Sequence, residues 1–142
     1  MSTAHRQQVL NQVAADLLAD HRALPVLLDH LEALNGALAR HDQGQVDALN
    51  GAIRQALGAM TERAQRRERV LSANRLARKQ DGMLRLLACY PTEQAQRLLM
   101  AWSEMKTMLQ ACRQLNERNG RLLAAQCELV DRWLAEPVYA PG

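Results

Sequence analysis

The stretch Pro91 to Leu134, PTEQAQRLLMAWSEMKTMLQACRQLNERNGRLLAAQCELVDRWL, decides how the rest of the chain is read. Leu98, Met105, Cys112, Asn119, Gln126 and Trp133 recur every seven residues. So do Trp102, Leu109, Asn116, Leu123 and Val130, and so do Ala101, Met108, Leu115, Leu122 and Leu129. These columns are neighbours on an α-helix and make one broad apolar stripe suited to a partner helix. Asn116 and Asn119, one turn apart, fall inside that stripe. A structure built for stability alone would not place them there, since polar seam residues weaken a coiled coil while fixing its register.

Working outward, the composition supports helix throughout. The 142 residues are 48% apolar, with 24 Leu and 23 Ala against 7 Val, 1 Ile and no Phe. Strong helix formers dominate and strand formers are scarce, so the expected fold is all-α. The pattern predicts an elongated antiparallel helical hairpin or bundle of about three long helices with coiled-coil-like packing, forming one domain over residues 1–142. Few aromatics favour slender helix-on-helix seams.

The first helix is expected over 1–41, where Leu10, Leu17, Leu24, Leu31 and Leu38 repeat at sevens beside Val13, Leu27 and Leu34. Pro25 lacks an amide hydrogen and its ring opposes the His21 carbonyl, at a cost of about 3 kcal/mol in a helix interior. That cost predicts a kink or break between His21 and Leu24. A short turn follows in which Asp42 can cap a new helix and Gln45 can close a capping box. The second helix, 42–81, carries Val46, Leu49, Ile53, Leu57 and Met60, and Asp81-Gly82 should end it. A connector over 82–91 precedes the third helix, 92–135, which at 1.5 Å per residue would be roughly 65 Å long. The residues 136–142, with Pro137 and Pro141, read as a mobile tail.

Charge is uneven. Residues 62–79 hold seven basic and two acidic groups, whereas 1–61 hold four and six. Arg63, Arg66, Arg67, Arg69, Arg75, Arg78 and Lys79 spread around the helix with no interleaved aromatic ring, so they are expected to be a solvated face and not a nucleic-acid site. Cys89, Cys112 and Cys127 form no CxxC pair, and no apolar run approaches the ~20 residues of a membrane span. These features predict a reduced, cytoplasmic protein without membrane insertion.

No enzyme is expected. His5, His21, His30 and His41 include no pair three or four residues apart and none follows the Glu-x-x-His spacing of bundle metal sites, so no metal or other cofactor is called for. Nucleophile motifs and phosphate cradles are likewise missing from the sequence. Trp102 and Trp133 lie in the third-helix stripe, where seam packing is the natural reading.

The residues Leu115-Asn116-x-x-Asn119-Gly120-x-Leu122-Leu123-x-x-Gln126, followed by a Pro-x-Tyr-x-x-Gly-like tail at 137–142, resemble the FlgN flagellar export chaperones. Pro25 departs from that family's usual uninterrupted first helix. The resemblance implies a cytoplasmic chaperone of flagellar type III export that binds the C-terminal segments of the hook-associated proteins FlgK and FlgL. The client site it implies falls on Met108, Leu115, Asn116, Asn119 and Gly120, and further on at Leu122, Leu123, Gln126 and Val130. Tyr139 matches the tail tyrosine associated with docking on the export apparatus. The competing reading, of a different class, is a structural coiled-coil protein that oligomerises through its C-terminal helix.

Overall fold

The computed structural model describes residues 2–76 and 80–120 of the chain, and these are almost entirely helical. Helix α1 spans Thr3–Ala39, α2 Gln43–Ala73, α3 Gln80–Leu87 and α4 Thr92–Gly120. The all-α expectation holds.

Each long helix buries residues at alternating intervals of three and four, as a left-handed seam requires. On α1 these are Val13, Leu17, Asp20, Leu24, Leu27, Leu31 and Leu34. On α4 they are Leu98, Trp102, Met105, Leu109, Cys112, Asn116 and Asn119. Two of the three columns read in α4 therefore face the core, while Met108 and Leu115 of the third are half-buried at its flank.

Helix α1 lies between its neighbours. It packs along both α2 and α4, whereas the backbones of α2 and α4 do not approach each other among the described residues. Side-chain pairs give the directions. Asp16 meets Arg66 and Asp20 meets Arg63, so α2 runs antiparallel to α1. The pairs Leu10 with Tyr90, His21 with Glu104 and Asn35 with Asn119 make α4 parallel to α1. Among the described residues one apolar cluster joins α1, α2, α3 and α4.

Pro25 does not break α1, which is continuous from Thr3 to Ala39. The proline is exposed, and Leu24 and Leu27 beside it are 0% and 1% accessible. Burial of a Leu stabilises by about 1.5–3 kcal/mol, so these two flanks offset the lost hydrogen bond.

The second helix stops at Ala73, well before Asp81. Its end is a Schellman motif: the Leu76 amide donates to the Leu71 carbonyl at 2.8 Å and the Arg75 amide to Ser72 at 3.1 Å, with Arg75 at φ 56°. The α1 end is built the same way. Asp42 donates its amide to Ala37, His41 donates to Leu38, and His41 has φ 56°. Sequence reading looks for Gly at such a position, and both carry a larger residue. Asp42 then caps α2, accepting from the Gln45 amide at 3.1 Å. The expected connector overlaps α3, with Gly82 inside that helix and Met83, Leu86 and Leu87 buried in the core.

Candidate functional site

Two polar constellations interrupt the apolar seams, and both are anchored on α1. The first joins α1 to α2. Asp20 is fully buried and pairs with Arg63 and, at 2.8 Å, with Arg67, which is itself 0% accessible. Asp16, one turn earlier, accepts two bonds from Arg66, at 2.8 and 2.9 Å, and a third from Gln12 at 2.9 Å.

Burial pushes the Asp20 carboxyl up from its ordinary value, against the opposing pull of Arg67 and Arg63. It also pushes the Arg67 guanidinium down, against the pull of Asp20. Burial acts in the same sense on Asp16, but the hydrogen bonds from Arg66 and Gln12 and the nearby positive charge outweigh it and hold that carboxyl below its usual range.

This corrects the expectation of a solvated arginine face. Arg63, Arg66 and Arg67 point into the α1–α2 interface, while Arg69 and Arg75 are exposed. Arg78 and Lys79 lie outside the described residues. A signal existed in the sequence: Asp20 is the missing member of the Val13, Leu27, Leu34 column, and Arg67 completes Val46, Ile53 and Met60 at sevens. Opposite charges at matching seam positions of two antiparallel helices foretell a pair.

The second constellation joins α1 to α4. Asn119 is 1% accessible; it donates to the Leu31 carbonyl at 3.0 Å and accepts from Asn35 at 2.7 Å. Asn116 is 3% accessible, and Gly120 is half-buried. His21 meets Glu104 at 3.1 Å nearer the middle of the same interface. At the base of the interface the Tyr90 hydroxyl donates to the Leu10 carbonyl at 2.7 Å, and burial raises that phenol to about 12.

The expected client residues therefore divide. Met108 and Leu115 sit half-buried on the flank of α4, Asn116 and Asn119 are enclosed, and Gly120 is the last described residue. Leu122, Leu123, Gln126, Val130 and Tyr139 lie outside the described residues. Asn119 is turned to α1, the internal pairing that a register role requires. Beside Leu115 the surface opens into a cleft of about 650 Å³ shared with Pro25, Leu28, Glu32 and Arg118.

No group of three or more His, Cys, Asp or Glu side chains that could hold a metal occurs among the described residues. Nor is any of their helices long and apolar enough to cross a membrane. Cys112 is buried, its thiol pushed by burial up to about 12, and Cys89 is exposed. Trp102 is 2% accessible and fills the seam, as its heptad position predicts.

A family model described as FlgN protein matches residues 2–136. No curated protein and no solved structure matches the chain.

Proposed function

The chain belongs to the FlgN family, a family of flagellar export chaperones, and we propose that it binds the C-terminal segments of FlgK and FlgL and keeps them export-competent in the cytoplasm. The observation that carries this reading is the shape of the α4 stripe. Among the described residues its inner columns are covered by α1, but Met108 and Leu115 of the adjoining column are only half-covered and Leu115 borders an open cleft. An amphipathic client helix that is disordered when alone gains apolar burial by lying along such an edge. No catalytic step is needed.

On this reading the client occupies the Met108 and Leu115 edge and continues over Gly120, Leu122, Leu123, Gln126 and Val130. Asn116 and Asn119 are covered by α1. A client that supplied its own acceptor to Asn119 would take the place of the Leu31 carbonyl. Tyr139 acts afterwards, at the export apparatus.

Calorimetric titration of the full chain with FlgK and FlgL C-terminal peptides tests the proposal. Saturable binding to at least one is expected, and its absence for both refutes the reading. Concentration-dependent self-association without client would favour the structural coiled-coil alternative. The double change Asn116→Leu and Asn119→Leu should weaken client binding or admit wrong apolar peptides. Unaltered affinity and selectivity would confine these residues to the α1–α4 seam. Tyr139→Ala should leave peptide affinity unchanged and impair export.

A further inference from the structure

At the end of the molecule where α1 begins and α2 finishes, side chains of α1, α2 and α3 border a groove of about 880 Å³. That volume is near the upper end of the ~300–1,000 Å³ common for ligand sites. Val9, Leu10 and Val13 of α1, Val70 of α2, Leu76 of the following turn and Leu86 of α3 supply its apolar lining. Its charged border is basic: Arg6, Arg69 and Arg85 come from three different helices and are all exposed. None of the ion pairs formed among the described residues uses any of the three. The carboxylate that lines the groove, Asp16, is already engaged by Arg66.

We infer that this groove docks a short amphipathic helix of a partner protein whose apolar residues, at i, i+3 or i+4 and i+7, enter between α1 and α2 and whose flanking Asp and Glu side chains meet Arg6, Arg69 and Arg85. The apolar lining supplies burial and the three guanidinium groups supply orientation and attraction. Nucleic acid is a poorer fit, because no Phe, Tyr or Trp ring lines the groove to stack on a base. A second copy of a chain with formal charge +3 is poorly matched to a basic border. The groove contains no residue of α4 and lies at the far end of α1 from Asn119, so it is separate from the client stripe and does not rest on the client reading.

The test is a display library of helical peptides with apolar residues fixed at i, i+3, i+4 and i+7 and the flanking positions randomised, selected on the full chain. Enriched peptides should be acidic at the flanks. The best one, synthesised, should bind saturably, and the variant combining Arg6→Glu, Arg69→Glu and Arg85→Glu should bind it at least tenfold more weakly. A lysine-flanked version should regain affinity for that variant. All three changes are on exposed side chains, and an unaltered thermal melt verifies the fold. The inference is overturned if nothing is enriched, if neutral or basic flanks win, or if the triple variant binds as well as the parent. It is equally overturned if a single-stranded oligonucleotide displaces the peptide, or if the chain self-associates in a way the triple variant abolishes. The FlgK peptide titration should be unchanged in the triple variant; a parallel loss would merge the groove with the client site and end the separate assignment.

Discussion

Replacing Asp20 by Ala should be among the most damaging single changes in the described core. Asp20 and Arg67 are both 0% accessible, and Arg67 reaches Asp20 at 2.8 Å. Removing the carboxylate leaves a buried guanidinium, which stays charged at neutral pH, without its close counter-ion. Breaking a buried pair in this way costs about 3–5 kcal/mol, a large part of the ~5–15 kcal/mol that holds an ordinary domain together. For a chain of this size that corresponds to a fall in Tm of roughly 10–15 °C.

The same physics makes a second expectation. Removing both charges, with Asp20→Leu and Arg67→Met, should return stability to near the parent value or above it, because an apolar pair of similar volume escapes the desolvation cost. Arg63, whose side chain is 18% accessible, then loses its partner but can turn toward water. Urea melts followed by circular dichroism on the parent, the single variants and the double variant give the comparison, with equal m values confirming that only stability has changed. A loss below about 1 kcal/mol for Asp20→Ala would show that the pair is hydrated and the α1–α2 seam is open there. A double variant as unstable as the single one would refute the desolvation argument.

Asp16 is held below its ordinary 3.8, so its contribution to stability is present above that value and is lost as the pH falls through the folded one. The stability gap between the parent and Asp16→Asn should therefore narrow in urea melts as the pH is lowered from 5 to 2; Asp20, shifted upward, acts in the opposite sense and is unchanged in that comparison. In a Cys127→Ser background, Cys89 should react with a thiol reagent at pH 8 in the folded protein, whereas Cys112, enclosed and raised to about 12, should react only on unfolding; equal rates would contradict the burial. Tyr90→Phe removes the 2.7 Å bond to the Leu10 carbonyl and should cost about 1 kcal/mol, read from thermal melts; no loss would mean that water replaces the phenol there.

The apolar columns were legible because burial at alternating threes and fours leaves a period in the sequence that little else produces. Leu98, Met105 and Cys112 show this on α4, and Leu17, Leu24 and Leu31 on α1. Helix ends were less legible. The Schellman turns at His41 and Arg75 use residues that carry no turn signal, and the left-handed backbone is held there by the amide bonds to Ala37 and Leu71. Gly82 suggested an end to α2, yet it lies inside α3, where Met83, Leu86 and Leu87 find burial. Tertiary packing outweighs a cost of about 1 kcal/mol for helical Gly. Pro25, where the sequence predicts a kink or break, leaves α1 unbroken, with Leu24 and Leu27 buried beside it.

The polar residues of the seams carry a different kind of information. An apolar column specifies which face meets a partner but tolerates a slip of one heptad, because Leu against Leu looks the same seven residues on. Asp20 with Arg67 and Asn35 with Asn119 do not tolerate it: a slip would bury each of these groups against carbon, at a cost of about 1–3 kcal/mol per unpaired polar group and more for a charge. Helix α1 thus carries separate register marks for its two neighbours, charged toward α2 and amide toward α4. The charged mark is costly to break, which suits a permanent hairpin. The amide mark is weaker, since a neutral hydrogen bond contributes only about 0.5–1.5 kcal/mol, and an incoming helix could replace it with bonds of its own. On the proposed client reading, that difference in strength favours the α1–α4 seam over α1–α2 as the place where an external helix would replace an internal partner.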